Sequence, residues 1–269
     1  MAIEKRVIEA AQHVAGETGV GPNVLIAVAL VETRAVPFAE IDGRPEPLIR
    51  FEGHYFDRRL SEAARTRARA EGLSSPRAGR IKNPVGQSAR WALFERACRI
   101  DAEAACGSVS WGLCQVMGSH GETLGYGSAE ALAATARRSI AGQFDVAARF
   151  LRIGALSDRL SDGDYAGFAR RYNGPGYRRN AYDKKIAAAF KRASAALEAT
   201  DHAMRPLAIG AKGRAVLRLQ EALRSAGSAI RIDGLFGPRT AAALSAWQAA
   251  AGLPATGVVD ERTATMLRL

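Results

Sequence analysis

An almost unbroken apolar run, Val24 to Val31, ends on a carboxylic acid, Glu32. At the end of a buried helix such a group loses solvation, and desolvation penalises the charged form. Its pKa then rises, so it holds a proton near neutral pH and can donate it to a leaving oxygen. Cleavage of a glycosidic bond through an oxocarbenium-like transition state needs such a donor. Read without a reaction, Glu32 is a helix-end residue that turns outward or pairs with Arg34.

Other residues could serve the same chemistry. Asp42 lies ten residues on, in a turn-rich loop able to fold back, and Glu52 stands in RFEGHYF beside Arg50 and His54. Either could be the second carboxylate of a hydrolase, with Asp42 placed slightly ahead. The segment SVSWGLCQVMGSH spaces Ser110, Gly112 and Gln115 as S-x-G-x-x-Q: a backbone that can be approached closely, between two hydrogen-bonding side chains suited to sugar hydroxyls or acetamido groups. In FARRYNGPGYRRNAYDKKI, Tyr172 could project into a cleft beside Asn173, and Tyr177 could stack on a sugar ring. His13, His54, His120 and His202 form no close ligand pair, so no metal or other cofactor is expected. Cys98, Cys106 and Cys114 are an odd number at spacings of eight, which suits buried thiols better than a disulfide framework or a zinc site.

The elements that must position these residues are mainly helical. Ile3, Val7, Ile8, Ala11 and Val14 have one-face helical spacing, and Pro22 or Asn23 can open the apolar helix that leads to Glu32. Asp42-Gly43 signals a turn, and LIRFEGHYF reads as a short extended piece. The basic stretch from Arg58 to Lys82 reads as an exposed helix-loop insertion with a solvated face. Helical spacing returns at Trp91–Ala105, Ala129–Ile153, Tyr165–Arg171 and Tyr182–Ala196, then breaks, which places a linker over 198–206. The tail, 207–269, is a small three-helix unit with a weak internal duplication. VLRLQEALRSAG leads into IDGLFGPRT, and ALSAWQAAAG into ATGVVDERT.

The net charge of +11 calls for anionic partners, and no recognised nucleic-acid motif accompanies it. The longest apolar run is far shorter than the roughly 20 residues needed to span a bilayer, so no stable membrane insertion is expected. The start, MAIEKRVIEAAQHV, shows no signal-peptide pattern.

The order of four motifs carries a resemblance: E-T after an apolar helix, FE-x-H-x-F, SWGL-x-QVMG, and YNGP-x-Y-x-x-N-x-Y. Over residues 5–192 the chain resembles the N-acetylmuramidase family found in phage endolysins, similar in layout to lysozymes and soluble lytic transglycosylases. The resemblance implies a lysozyme-like helical catalytic domain over 1–197 that cleaves between N-acetylmuramic acid and N-acetylglucosamine, with Glu32 as its acid. The sequence reads ETRAVPF where a family member more usually has Ser and Gly after the Glu. The tail resembles the type 1 peptidoglycan-binding domain through DG-x-FG-x-x-T and Trp247-Gln248. That implies a wall-binding groove near Asp233, Phe236, Thr240 and Trp247, although Phe236 and Trp247 suit a core better. The expectation is a monomeric muramidase bound to peptidoglycan, with its basic surface helped by anionic envelope polymers. It would be made in the host cytoplasm without a signal peptide and released to the wall by a separate pore former. A lytic transglycosylase is the alternative on the same scaffold; a zinc peptidase and a non-catalytic wall-binding protein are weaker readings.

Overall fold

The computed structural model describes residues 3–204 and 207–269. The chain divides into two units, 1–197 and 198–269. In order, the first holds α1 (Lys5–Thr18), α2 (Pro22–Thr33), β1 (Phe38–Ile41), β2 (Arg44–Pro47), β3 (Ile49–Phe51), α3 (Gly53–Arg59), α4 (Glu62–Ala70), α5 (Gln87–Cys98) and α6 (Ala102–Gly107). There follow β4 (Val109–Trp111), β5 (Val116–Met117), α7 (Ala129–Arg138), α8 (Ile140–Arg152), α9 (Leu156–Ser161), α10 (Tyr165–Tyr172) and α11 (Tyr182–Met204), whose last turns pass the division at 197. The second unit holds α12 (Arg214–Ser225), α13 (Pro238–Ala250) and α14 (Glu261–Leu267). The fold is mainly α, with small sheets. Among the described residues no helix is long and apolar enough to cross a membrane.

Helix α1 buries Val7, Ile8, Ala11 and Val14, the stripe its spacing predicts, and Gly19 ends it at φ +75°. Helix α2 opens on Pro22 and buries Val24 through Ala29 without a break, so it lies inside the unit rather than on it. It packs on α1, α8 and α9. Its end is strained: Arg34 and Ala35 both take left-handed φ, +57° and +59°. These are the positions that follow Glu32 and Thr33, where side chains crowd the backbone and glycine would not.

Two small sheets follow α2. Strands β1 and β2 form a hairpin closed by Asp42 and Gly43, with φ +47° and +75°, the two-residue turn that Asp-Gly favours. Strands β3, β4 and β5 form an antiparallel sheet in which Arg50, Ser110 and Met117 lie in one cross-strand row. Ile49, Phe51, Val109, Trp111 and Val116 are buried on its inner face, where Trp111 meets Trp91 and Phe94 edge-on. The row Arg50–Ser110–Met117 is left on the open face.

The basic insertion is tied down more firmly than its composition predicts. Arg69 makes a forked pair with the buried carboxylate of Asp57, both bonds 2.7 Å, and Arg65 donates to the carbonyls of Asp57 and Leu60. Helix α11 also differs from expectation. It continues through Met204, because AALEATDHAM is rich in good helix formers, so 198–204 is helical where a linker is expected. Arg205 and Pro206 of that linker lie outside the described residues.

In the second unit the duplication is structural. Buried Gln220 receives the N–H groups of Asp233 and Gly234 on its Oε1, and its Nε2 donates to Asp233, Leu235 and Thr240. Buried Gln248 repeats the device: Gly257 N–H binds its Oε1, while its Nε2 donates to Thr256, Val258 and Thr263. One glutamine per half staples a helix to the following turn and the next helix.

The strain after α2 yields a measurable expectation. Arg34 is exposed, so Arg34→Gly removes the left-handed penalty with little loss of packing and should raise stability by about 1 kcal/mol. A urea melt showing no gain would mean that the segment relaxes in solution.

Candidate active site

Glu32 occupies the last turn of α2 and is half-buried. Its Oε1 accepts a 2.5 Å hydrogen bond from the hydroxyl of Tyr182, the first residue of α11. Tyr182 is 4% exposed and stacks at 6.1 Å on Tyr172, which stacks in turn on Phe168 at 5.1 Å. The Tyr172 hydroxyl donates to the carbonyl of Cys114 at 2.5 Å, and Cys114 itself is buried against α2. Burial pushes Tyr172, Tyr182 and Cys114 well above their ordinary ranges, so all three are neutral around the acid.

The Glu32 carboxyl lies above the usual glutamate range because burial outweighs two opposing effects, the Tyr182 hydrogen bond and the positive charge of Arg50. Tyr182 has one proton to give and gives it to Oε1. No hydrogen bond to Oε2 is found among the described residues.

Backbone ties fix this acid against the three-stranded sheet. Thr33 Oγ1 donates to the Leu113 carbonyl at 2.9 Å, joining the end of α2 to the β4–β5 turn. Gln143 of α8 accepts from Leu113 N–H at 2.9 Å and donates to the Pro37 carbonyl at 3.0 Å. Gly112, at φ +63°, is required here, since a Cβ would lie 2.8 Å from the Gln143 Oε1. Arg50 links the sheet to the site: its Nε donates to Glu52 Oε1 at 2.7 Å while its charge reaches Glu32. On the other side of Glu52, His54 Nδ1 lies 3.6 Å from Oε2 and has no hydrogen-bond partner.

The sequence-predicted residues divide accordingly. Arg50 is the common neighbour of Glu32, through its charge, of Glu52, through a hydrogen bond, and of Ser110, its cross-strand partner, which is half-buried with its hydroxyl 3.1 Å from Met117 Sδ. Asp42 stands exposed at the hairpin tip, and among the described residues no hydrogen bond or ion pair joins it to Glu32. Gln115 is a structural stitch: its Nε2 donates to the carbonyls of Leu48 and Gly112. Tyr172 backs the acid from inside rather than projecting into a cleft, because its hydroxyl is spent on Cys114. Tyr177 is only 5% exposed, so it has no open face for a sugar ring, and Asn173 is an exposed residue capping the end of α10.

In the second unit the expected groove residues are largely consumed. Phe236 is 2% exposed, Thr240 is buried on Gln220, and Trp247 packs against the unit's core. Asp233 is exposed, with Oδ1 taken by Gln220 Nε2 and Leu235 N–H.

Two site residues escaped the sequence reading. Tyr182 closes the YNGPGYRRNAY motif, and its place as the last tyrosine, not the first, was the available signal. Arg50 lies two residues before Glu52 along extended chain, on the same face by the period of two. Among the described residues no group of three or more His, Cys, Asp or Glu is placed to hold a metal ion.

A helical fold that holds a half-buried carboxyl at the end of an apolar helix, beside a small sheet, is that of a lysozyme-like domain. The N-acetylmuramidase family model matches residues 21–194, and a peptidoglycan binding domain model matches residues 212–267. The chain belongs to the N-acetylmuramidase family: it is a peptidoglycan-degrading glycosidase carrying a peptidoglycan-binding domain. Among solved structures it is similar to the crystal structure of the Burkholderia AP3 phage endolysin, at 31% identity and a TM-score of 0.59, covering 70% of this chain and 71% of that one. No curated protein matches.

The Tyr182 hydrogen bond lowers the Glu32 pKa, so its removal lets burial act with less opposition. In Tyr182→Phe the acid stays protonated to higher pH. The alkaline limb of the kcat/KM profile should therefore move upward, with kcat down about tenfold from lost orientation. An unmoved limb would show that this bond does not set the acid's protonation.

Proposed function

We propose that Glu32 is the general acid that protonates the leaving oxygen of the bond between N-acetylmuramic acid and N-acetylglucosamine, and that water completes the cleavage. The observation that carries this reading is the half-buried carboxyl with a raised pKa, one oxygen fixed by Tyr182 and the other left free. Glu52, rather than Asp42, takes the part of the second carboxylate. It shares Arg50 with Glu32 on the open face of the sheet, whereas Asp42 sits alone at a hairpin tip. Ser110, next to Arg50 in the cross-strand row, is the hydrogen-bond donor for the glycan. The C-terminal unit, 207–269, holds the enzyme on the wall. Similarity to the AP3 phage endolysin supports an endolysin role, in which the chain is made in the host cytoplasm and reaches the wall after a separate pore opens.

Glu32→Gln keeps the shape and removes the proton donor. Turbidity loss of purified peptidoglycan should slow by about 10²–10⁴-fold, while sedimentation with the wall is unchanged. Stability should move the other way. Because the folded-state pKa of Glu32 is raised, its ionisation destabilises the fold as pH rises through that value. The variant should melt above the parent at pH 8, and the difference should vanish near pH 4. Normal lysis by Glu32→Gln would overturn the assignment. Mass spectrometry of the products tests the water step: reducing muramic ends support hydrolysis, and 1,6-anhydro ends would replace it with transglycosylation.

A further inference from the structure

Among the described residues, a single buried side-chain polar atom lacks a hydrogen-bond partner, Nδ1 of His54. Leaving such an atom unpaired costs free energy, so native interiors rarely keep one without a use. The imidazole is 14% exposed, and Nδ1 faces Glu52 Oε2 at 3.6 Å. That separation is just beyond hydrogen-bond range.

The carboxylate it faces is not occupied in capping the helix. Glu52 holds the N-cap position of α3, yet its side chain makes no cap hydrogen bond. Its backbone is pinned instead. The N–H donates to the Ser108 carbonyl at 2.8 Å, and the Glu52 carbonyl accepts from Tyr55 and Phe56 at 2.9 and 3.1 Å. Between the two residues, Gly53 is packed so closely that a Cβ would lie 2.5 Å from Ile81 Cγ1 of the basic insertion. Both side chains therefore hang from a fixed turn, and their own rotation sets the gap between them.

The pairing also decides where the imidazole carries its proton. With the proton on Nε2, a lone pair on Nδ1 would point at a carboxylate oxygen, acceptor against acceptor. With the proton on Nδ1, a donor points there. Arg50 Nε already occupies Oε1 at 2.7 Å, which leaves Oε2 for His54.

We propose that His54 is a positioning residue for the glycan-cleaving reaction: its Nδ1–H closes onto Glu52 Oε2, so that Arg50 and His54 hold one oxygen each. A carboxylate gripped at both oxygens keeps one plane and one direction, as a reacting group requires. Each oxygen retains a second lone pair for the chemistry. This inference rests on the reading of Glu52 as the second carboxylate.

The test compares full-length parent, His54→Ala, His54→Asn, Glu52→Gln and the His54→Ala/Glu52→Gln double variant on soluble peptidoglycan fragments. In His54→Ala, kcat should fall about tenfold with KM little changed. His54→Asn, which places an amide N–H where Nδ1 stands, should recover most of that loss. In the slow Glu52→Gln background, His54→Ala should cost nothing further, because a residue that acts through Glu52 has nothing left to position. A merely structural histidine would cost the same in both backgrounds. Nitrogen-15 NMR of the histidine-labelled parent reads the contact without turnover, with His54 assigned by its loss in the Asn variant. Its proton should sit on Nδ1. Parent rates in His54→Ala, an equal loss in both backgrounds, no recovery in His54→Asn, or a proton on Nε2 alone would each overturn the proposal and leave Glu52 in its role. Parent rates in Glu52→Gln would instead remove the second-carboxylate reading, and the proposal with it.

Discussion

Burial of the Glu32 carboxyl and the hydroxyl that Tyr182 sets against it are the opposed forces on which the site depends. A carboxylate in water is ionised at neutral pH and can donate nothing. Withdrawing it from water favours the protonated form, but a fully isolated buried acid would also be free to rotate and hard to address. Tyr182 limits both extremes by taking one oxygen, which moderates the shift and fixes the carboxyl's orientation. The stack of Phe168, Tyr172 and Tyr182 behind it is wide, apolar and neutral, so it maintains the low polarity while holding the hydroxyl still.

Much of the remaining fold reads as support for that contest. The fully apolar helix α2 cannot lie on a surface, and its burial carries Glu32 inward. Thr33, Gln143 and Gly112 then lock the helix end, the following loop and the β4–β5 turn into one frame. The left-handed Arg34 and Ala35 belong to the same picture. Their strain lies directly after the acid, where a sharp exit from the helix lets the chain turn into the β1–β2 hairpin. The C-terminal unit solves a smaller problem of the same kind, because three short helices have little core, and two buried glutamines tie each turn to its neighbours.

Residues whose role follows from local pattern were legible in the sequence. The α1 stripe, the Pro22 start of α2, the Asp-Gly turn and the apolar run ending in an acid all act through near neighbours, and each is found where expected. The resemblance to muramidases and to the wall-binding module is likewise matched by the family models. What could not be read was how side chains meet across long sequence distances. Tyr182 is 150 positions from Glu32, whereas Tyr177, the tyrosine directly after the Gly-Pro-Gly turn, is buried elsewhere. Polar residues in motifs misled in a consistent way. Gln115, Tyr172 and Thr240 looked like ligand contacts, but their donors and acceptors are spent on the protein's own backbone and side chains. The break expected after Ala196 failed because helix-forming residues continue through Met204.

The central claim is that Glu32 holds its proton where an ordinary glutamate has lost it. A carbon-detected NMR titration of side-chain-labelled glutamate, with Glu32 assigned by its loss in the Gln variant, reads this directly. The account predicts one carboxyl carbon whose midpoint lies above the ordinary value of 4.5, and whose midpoint rises further when Tyr182 is replaced by Phe. A Glu32 midpoint at or below that ordinary value would contradict it, because the acid would then be an exposed carboxylate with no proton to give.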